Sequence, residues 1–354
     1  MHRLRSVALV YRKGLEKGKR MRRTPAWKVT AAAVCVLAVG VPAIPLLQTD
    51  IKSIFAGGDQ EMKYEYEQTL KADALDSLAV SWMDGEIELV PLAQLGTPED
   101  GQPPEPAVRI VETAQNPLRE DEKAQLTLRG ESLQINWNRK SKLASVLDLS
   151  SRRKDLRVEL PEHLFNQMRR IDCENVSGTI AVYQIAPREL HVKSVSGEIQ
   201  AQQITSDEIS LSSVSGDLLA ESLHADRLRL SSTSGAVSAR QIETEDVEAK
   251  GVSSAVYLQG LIRRVYTHTV SGNTEVASSV CPQLGRLESV SGSLYLKLPP
   301  RSNFRAEYTS VSGRFDSRFD GQYDHSAFIT ESGLAQLRLS TTSGPIQVDP
   351  LETT

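Results

Sequence analysis

The sequence predicts an all-β protein built as a single-stranded β-solenoid, and three observations lead to that fold class. Val195-Ser196-Gly197 and close variants of it recur through the C-terminal half of the chain. The glycines from Gly178 to Gly235 lie 19 residues apart. Apolar and polar residues alternate before and after each Ser-Gly pair, as in a strand with one buried face. A fixed period of this length is typical of stacked-strand arrays.

Nine copies of the repeat follow from this spacing when positions are numbered from the glycine as zero. Position −1 is serine in every copy, and positions −7, −5, +2 and +4 are mostly aliphatic, whereas the positions between them are mostly polar. Each copy of about 19–21 residues therefore predicts two short strands joined at a corner. The nine central residues are Gly178, Gly197, Gly216, Gly235, Ser254, Gly272, Gly292, Gly313 and Gly344.

Stacking is what lets so short a repeat bury an apolar face. One copy cannot form a core alone, but each strand pairs with the next rung about 4.8 Å away, and the aliphatic side chains then form columns. Glycine at position zero is expected to supply a positive φ at the corner, and the preceding serine is expected to bond nearby backbone. Ser254 replaces glycine in one copy, so a positive φ is expected there too.

Five segments are expected along the chain. They are a basic cytoplasmic tail (1–28), a transmembrane helix (29–47), a juxtamembrane spacer (48–72), an N-terminal β subdomain (73–165) and the Ser-Gly repeat β-solenoid (166–350). In the β subdomain, alternating residues flank Asp84-Gly85, which resembles a degenerate first copy of the repeat. Leu160-Pro161 and Leu298-Pro299 are expected to mark changes in the path of the chain.

The transmembrane prediction rests on residues 29–47, which contain no charged side chain. At about 1.5 Å per residue, such a helix matches the hydrocarbon thickness of a bilayer. Residues 1–28 hold ten Lys or Arg against one acidic residue, so the N-terminus is expected in the cytoplasm and the C-terminal domain outside the cell membrane. A cleavable signal peptide is the main alternative, because Val41-Pro42-Ala43 loosely matches a cleavage site. The long basic and apolar stretches favour an uncleaved single-pass anchor.

The charge distribution indicates a membrane partner rather than nucleic acid. The whole chain has a formal net charge of −4, and the +9 of residues 1–28 leaves −13 for the remainder. Basic residues beside an apolar segment are attracted to anionic lipid. The expected partners are therefore the membrane and, through the solenoid, a cell-envelope glycan or protein.

The sequence indicates no catalytic, cofactor-binding or metal-binding residue. Nine repeated serines without a partnered His and Asp are typical of turns, and the glycines lack the lysine and helix of a phosphate-binding loop. The three cysteines form no Cys-x-x-Cys or Cys/His cluster. A disulfide between Cys173 and Cys281 stays open, with two small hydrophobic residues as the alternative.

Two features could nevertheless hold a ligand. Glu198 and Asp217 occupy position +1 of neighbouring rungs, about 5 Å apart at the strand spacing, and paired carboxylates are what a polysaccharide-acting enzyme needs. Solvated surface charge is the alternative interpretation. The second feature is the insertion at residues 316–334, which carries Tyr323 and His325. It is either a ligand or partner surface or a packed end cap.

These motifs resemble the bacterial β-strand-repeat "putative adhesin" family, a domain of unknown function in membrane-anchored envelope proteins. The resemblance covers roughly residues 73–349 and rests on Asp84-Gly85-Glu86-Ile87, Val158-Glu159-Leu160-Pro161 and the Ser-Gly repeats. It implies a repeat fold and an envelope location. It brings no catalytic residues to this chain.

Three functions follow as alternatives. The first is a non-enzymatic, membrane-anchored cell-envelope protein whose extracellular β-solenoid is a binding or adhesion surface, because repeat arrays offer long regular faces. The second is an envelope-stress sensor or regulator that acts through a membrane partner, since residues 1–28 are too short for a folded signalling domain. The third is a polysaccharide-acting β-helix enzyme, which depends on Glu198 and Asp217.

Chelation of divalent cations is expected to leave the melting temperature unchanged, because the calcium-binding nonapeptide of some solenoids is absent from this sequence. Thermal unfolding followed by circular dichroism, with and without EDTA, measures this. A large fall in melting temperature on chelation would show that the stack depends on a structural metal.

Overall fold

The computed structural model describes residues 9–11, 63–71, 74–92, 107–137 and 153–352. The predicted transmembrane segment, 29–47, lies outside these ranges, and no helix within them is long and apolar enough to cross a bilayer. One helix, α1 (Glu162–Gln167), is described. The described strands are β1 (Leu9–Tyr11), β2 (Tyr64–Lys71), β3 (Ser77–Ser81), β4 (Ile87–Pro91), β5 (Ala107–Ala114), β6 (Gln125–Arg129), β7 (Ser132–Asn136), β8 (Lys154–Leu160), β9 (Arg170–Asn175), β10 (Ile180–Tyr183), β11 (Glu189–Ser194), β12 (Ile199–Ser213), β13 (Leu218–Ser232), β14 (Val237–Gly251), β15 (Val256–Thr269), β16 (Thr274–Ser278), β17 (Leu284–Ser289), β18 (Leu294–Leu298), β19 (Phe304–Ser310), β20 (Phe315–Ser317), β21 (Gln322–Asp324), β22 (Ala327–Ile329), β23 (Ala335–Thr341) and β24 (Ile346–Pro350).

Parallel stacking of successive rungs dominates the structure and confirms the predicted all-β repeat array. Strands β12, β13 and β14 each run for 15 residues. Their pairing is offset by one repeat, so that Ile199 lies beside Leu218 and Leu218 beside Val237. Between β12 and β13 the pairing stops at Gln203 and again at Asp207. Each central rung therefore has three paired segments rather than the two that the sequence predicted.

The interior holds the aliphatic columns that the repeat pattern predicts. Around Gly216, the residues at positions −7, −5, +2 and +4 are no more than 4% exposed. The third segment adds another core residue, since Ile204 is 1% exposed. One connected apolar core extends from Leu70 to Val348. Full burial of an aliphatic side chain contributes about 1.5–3 kcal/mol, so these columns are the main driving force of the fold.

The last two rungs stack in the reverse of their sequence order. Strands β17 and β18, which flank Gly292, pair with β23 and β24 of the rung of Gly344. Strands β19 and β20, of the rung of Gly313, come only after these. The prediction that each rung pairs with the next one in sequence is wrong here. The 31-residue step from Gly313 to Gly344 gives the chain enough length to fold back past its own end rung.

The N-terminal strands continue the same stack. Strands β3 and β4, on either side of Gly85, pair in parallel with β9 and β10, and Asp84 forms a bridge with Ser177. The degenerate first copy is therefore a rung. Strands β7 and β8 form a partial rung before it, and antiparallel strands β6, β5 and β2 cover this end. Strand β2 begins at Tyr64, within the segment that the sequence placed in the spacer, because its antiparallel pairing to β5 is long-range and leaves no repeat signal.

Successive rungs nearly touch at the Ser-Gly turns, and this contact selects glycine. A Cβ built on Gly216 would lie 1.9 Å from the carbonyl oxygen of Gly197, so no side chain fits at position zero. The φ angles of Gly197, Gly216 and Gly235 are not positive. The expected positive φ is therefore wrong for these three rungs, where close backbone approach is the constraint. It is confirmed at Gly178, Gly272 and Gly344, whose φ angles are 105°, 155° and 142°.

A buried hydroxyl at position −3 holds the turn. Ser213 Oγ accepts a hydrogen bond from Gly216 N at 2.8 Å and donates one to Gly197 O at 3.5 Å. The bond to the glycine N–H recurs in the rungs on either side, at 2.8 and 2.9 Å. The serine at position −1 is exposed and bonds nearby backbone, as the sequence predicted: Ser215 Oγ donates to Val195 O at 3.2 Å.

Ser254 shows how the turn is kept where position zero is not glycine. Its side chain is 1% exposed and its φ is not positive, so the positive φ expected there is wrong. Position −3 of this rung is Gly251, and a Cβ on Gly251 would lie 2.8 Å from Ser254 Cβ. The Ser254 hydroxyl donates to Ser232 O at 3.1 Å. Glycine and serine have exchanged places, so the rung still has one small residue and one buried hydroxyl.

A second corner lies six residues after each central Ser-Gly turn. The φ angles of Gln184, Gln203, Ser222 and Gln241 lie between 52° and 57°. Such a conformation costs a non-glycine residue on the order of 1–3 kcal/mol. Side chains bond along the stack at this corner: Gln184 Nε2 donates to Gln203 Oε1 at 2.9 Å, and Ser222 Oγ donates to Gln241 Oε1 at 2.8 Å. These bonds offset part of the backbone strain.

Gly216→Ala is expected to lower the free energy of unfolding by about 3 kcal/mol, because the added Cβ forces two rungs apart. Gly130→Ala is the matched control: Gly130 has a φ of 60°, but nothing lies within 4 Å of its Cβ position, so only a conformational penalty of about 1 kcal/mol applies. Urea denaturation measures both values. A loss for Gly216→Ala no larger than that for Gly130→Ala would show that close backbone approach does not select glycine at the turns.

Ser213→Ala is expected to lower the free energy of unfolding by about 1–3 kcal/mol, because it leaves Gly216 N without its partner in a buried turn. Ser215→Ala, at the exposed position −1, should change stability by less than about 0.5 kcal/mol. Ser213→Thr keeps the hydroxyl, as Thr341 does in another rung, and should retain most of the stability. Denaturant melts of the three variants test this, and a larger loss for Ser215→Ala would assign the turn to position −1.

Candidate functional site

A groove of about 710 Å³ lies on one outer face of the solenoid. Its walls come from positions −8 and −6 of six neighbouring rungs, on β13, β14, β15, β17, β23 and β19. Strand alternation directs these positions outward, whereas the residue between them enters the core, as Leu228 does at 1% exposed. We call this surface the basic groove; its outward-facing residues are Arg227, Arg229, Asp246, Glu248, Arg264, Tyr266, Leu284, Arg286, Glu307, Gln336 and Arg338.

Tyr266 lies midway along the basic groove and is flanked by positive charges. The guanidinium carbon of Arg286 is 5.7 Å from the centre of the tyrosine ring, and Lys250 Nζ is 5.9 Å from it. Both distances are within the range of cation–π attraction, about 6 Å. Leu284, in the next rung, is 55% exposed. The middle of the groove therefore combines aromatic and aliphatic surface with nearby cations.

Each carboxylate of the basic groove has a cationic partner. Arg264 forms two bonds to Asp246, and the hydrogen bond raises the pKa of the Arg264 guanidinium. All of these pairs are partly exposed to solvent. The carboxylates are therefore engaged as ion-pair partners rather than as free acids. The pairs are Arg264–Asp246 at 2.5 Å, Arg229–Glu248 at 3.7 Å and Arg338–Glu307 at 3.2 Å.

The carboxylate pair that the sequence suggested lies outside the basic groove. Asp217 Oδ1 accepts a hydrogen bond from Ala236 N at 2.7 Å, which ties its rung to the next one. Glu198 Oε1 accepts one from Gln200 Nε2 at 2.5 Å. Both side chains thus serve contacts within their own face of the stack.

The 316–334 insertion is a packed end cap. Strands β21 and β22 form an antiparallel hairpin, and β22 pairs with β19 of the last rung. Phe328 is 2% exposed, and its ring lies 6.2 Å from that of Phe304 and 5.0 Å from that of Tyr323. Covering part of the last rung blocks edge-to-edge pairing with another chain. Phe328 therefore serves the fold, whereas Tyr323 is 60% exposed.

The other reactive groups that the structure describes lie outside the basic groove, and Glu88, Glu86 and Glu198 lie near Tyr183, whose pKa is raised to about 12 by burial and by these carboxylates. Cys173 and Cys281 are both free, and burial raises the pKa of the Cys173 thiol. Burial, followed by the charges of Asp155 and Glu88, raises the pKa of Glu86 to about 7. Within the part of the chain that the structure describes, no group of three His, Cys, Asp or Glu residues is placed to hold a metal ion.

The sequence did not identify the basic groove. The strand alternation predicts that polar residues beside the aliphatic positions, such as Arg227, Arg229 and Glu248, face water, as they do, but it gives them no role. The usable signal was the arginine content of positions −8 and −6 around Tyr266. The neighbourhood of Arg286 and Arg338 had no such signal, because it depends on the reversed order of the last two rungs.

Solved structures of bacterial proteins resemble this fold at low sequence identity. A "putative adhesin" from Bacteroides fragilis aligns with 83% of this chain and 100% of its own, at 14% identity and a TM-score of 0.42. A "putative adhesin" from Parabacteroides merdae covers 82% and 97%, at 10% identity and a TM-score of 0.48. A "putative lipid binding protein" from Parabacteroides distasonis covers 81% and 97%, at 11% identity and a TM-score of 0.47. A comparison with curated proteins finds no match.

Family membership rests on a family model instead. The model of Toastrack DUF4097 matches residues 105–349, which is more than half of the chain. The match begins in the N-terminal strands and ends in β24, so it includes all nine Ser-Gly rungs. This confirms the family resemblance that the repeats indicated. The chain belongs to the Toastrack DUF4097 family.

Proposed function

We propose that this protein is a non-enzymatic binding protein of the cell envelope. In this proposal, residues 29–47 anchor the chain in the membrane as a single pass, with residues 1–28 in the cytoplasm. The β-solenoid then lies outside the cell and presents the basic groove to an envelope glycan or protein. The observation that carries the proposal is the basic groove itself, a concave outer surface with aromatic and cationic side chains fixed on paired strands.

The stack gives this surface the rigidity that binding needs. Strands β13, β14 and β15 pair along almost their whole length, and the residues that alternate with the groove residues are buried in the core. The backbone beneath the groove is therefore fixed before a ligand arrives. Preorganisation of this kind reduces the entropy lost on binding.

A polysaccharide-acting enzyme is supported less well by the geometry. Glycoside hydrolysis needs one protonated carboxyl and one carboxylate on either side of the bond that is cleaved. The carboxylates of the basic groove are ion-paired, and Glu198 and Asp217 are engaged in structural contacts. Glu86, with its raised pKa, is not part of the groove. Release of reducing ends from envelope glycans, abolished by Glu198→Gln or Glu86→Gln, would replace the binding proposal.

An envelope-stress sensor is the second candidate, and it shares the extracellular binding step. It differs in needing a membrane partner that reads residues 1–28. Deleting residues 1–20 separates the two functions, because a binding protein keeps its envelope affinity and its cellular effect, whereas a sensor keeps only its affinity.

Full-length protein in lipid nanodiscs is expected to co-sediment with isolated cell-wall envelopes. Tyr266→Ala combined with Arg264→Gln should lower the apparent affinity at least about tenfold, because it removes central contacts worth about 1.4 kcal/mol or more. Arg170→Gln is the matched control, since Arg170 holds position −8 of an earlier rung and pairs with Asp172. Undiminished sedimentation of the double variant, at unchanged melting temperature, would remove the groove from the proposal.

A further inference from the structure

The basic groove reverses the charge of the surrounding protein. Its lining carries five arginines against three acidic residues. The chain after residue 28 carries 31 basic and 44 acidic residues. A local excess of positive charge on an acidic body concentrates anions at that place and repels them elsewhere.

The groove arginines are available to a ligand. The side chains of Arg227, Arg286 and Arg338 are 57%, 56% and 65% exposed. Their carboxylate partners are Glu208, Glu288 and Glu307, which are 18%, 21% and 46% exposed. Each guanidinium faces solvent, which screens the pair and weakens it, so a ligand anion competes for the exposed side of the arginine. The planar guanidinium group forms paired hydrogen bonds with carboxylate and phosphate oxygens. The groove therefore fits an anion that bears such groups.

The groove also fits a ligand that is longer than one charged group. Position −6 reads Arg229, Glu248, Tyr266, Arg286 and Arg338 along the stack. At about 4.8 Å between rungs, these five positions extend over roughly 19 Å. Cations near both ends are separated by Tyr266 and the neighbouring Leu284. A sugar ring, which has a C–H face and polar edges, matches that middle section, because aromatic rings pack against apolar faces and leave polar edges wet.

We propose that the basic groove binds an anionic glycan polymer whose chain follows the solenoid axis. Arg286 and Arg338, in consecutive rungs, bind its acidic groups, and Tyr266, in the rung on the other side of Arg286, packs against the neighbouring sugar. The proposal rests on the proposed function and names the ligand class of the same groove. A carboxylate on a uronic acid and a phosphodiester between sugar or polyol units present the same oxygen geometry, so both are sources of the anion.

The test measures binding of the full-length protein in nanodiscs of uncharged lipid to three soluble polymers. The probes are polygalacturonate, poly(glycerol phosphate) and neutral dextran, and microscale thermophoresis gives the dissociation constants. At least one anionic polymer is expected to bind ten times or more tighter than dextran. Its affinity should fall at least fivefold between 50 and 300 mM NaCl, because salt screens exposed charges.

Paired variants assign the contacts. Arg286→Gln combined with Arg338→Gln should weaken the preferred anionic polymer at least tenfold, whereas Arg170→Gln combined with Lys193→Gln, which removes two charges from earlier rungs, should change it less than twofold. Tyr266→Ala should weaken binding at least fivefold, and Tyr266→Phe should retain it. All of these side chains lie on the surface, so each variant is expected to fold. Thermal melts check this.

Each result decides between the proposals. Equal binding of dextran and the anionic polymers overturns the ligand class. Binding of envelopes without binding of any of the three polymers also overturns the ligand class. In that case the proposed binding function is retained. Loss of affinity in the Arg170 and Lys193 control, equal to that in the groove variant, would show that net charge rather than the groove is recognised. If the protein binds neither the polymers nor the envelopes, the proposed function is overturned as well.

Discussion

The structure depends on one close approach, between the carbonyl oxygen of one turn and the Cα of the turn stacked on it. At Gly216 this distance leaves no room for a side chain. The turn can be so tight because Ser213 lies inside it and satisfies the glycine N–H. Every rung must then return to the same point after the same path, which fixes the 19-residue register between the central strands. The aliphatic columns, whose burial drives folding, keep the same register.

The same register produces the basic groove. When each residue lies beside its counterpart one repeat later, the outward positions form columns as regular as the inward ones. Substitutions at positions −8 and −6 then change the charge and shape of a face without disturbing the core, as Arg227 and Arg229 show on either side of the buried Leu228. Tyr266 and Leu284 share one face in neighbouring rungs for this reason. The fold thus separates what stabilises it from what it presents to solvent.

The repeats, the strand alternation and the all-β class could be predicted because they are local signals repeated many times. The role of position −3 was missed because serine there looks like any polar residue at the end of a strand, and Gly251 with Ser254 became intelligible only when their Cβ positions could be compared. The second corner was missed because glutamine gives no sign of a positive φ. Arg286 and Arg338 come together through a chain reversal that leaves no periodic trace. The columns of the candidate site could therefore be predicted, but the pairing of β17 with β23 that joins them could not.

The two ends of the solenoid are partly covered by different chemistry. At the C-terminal end, strand β22 and the ring of Phe328 cover the last rung. At the N-terminal end, Lys154 Nζ lies 2.6 Å from Glu112 Oε1, and its charge lies 4.9 Å from the ring centre of Trp82. Burial lowers the pKa of Lys154, while the carboxylate and the aromatic ring favour its charged form. Partial cover of each end limits strand addition there, whereas the lateral faces present side chains in regular columns. The basic groove is a lateral face of that kind, with its backbone already paired and its arginines still exposed.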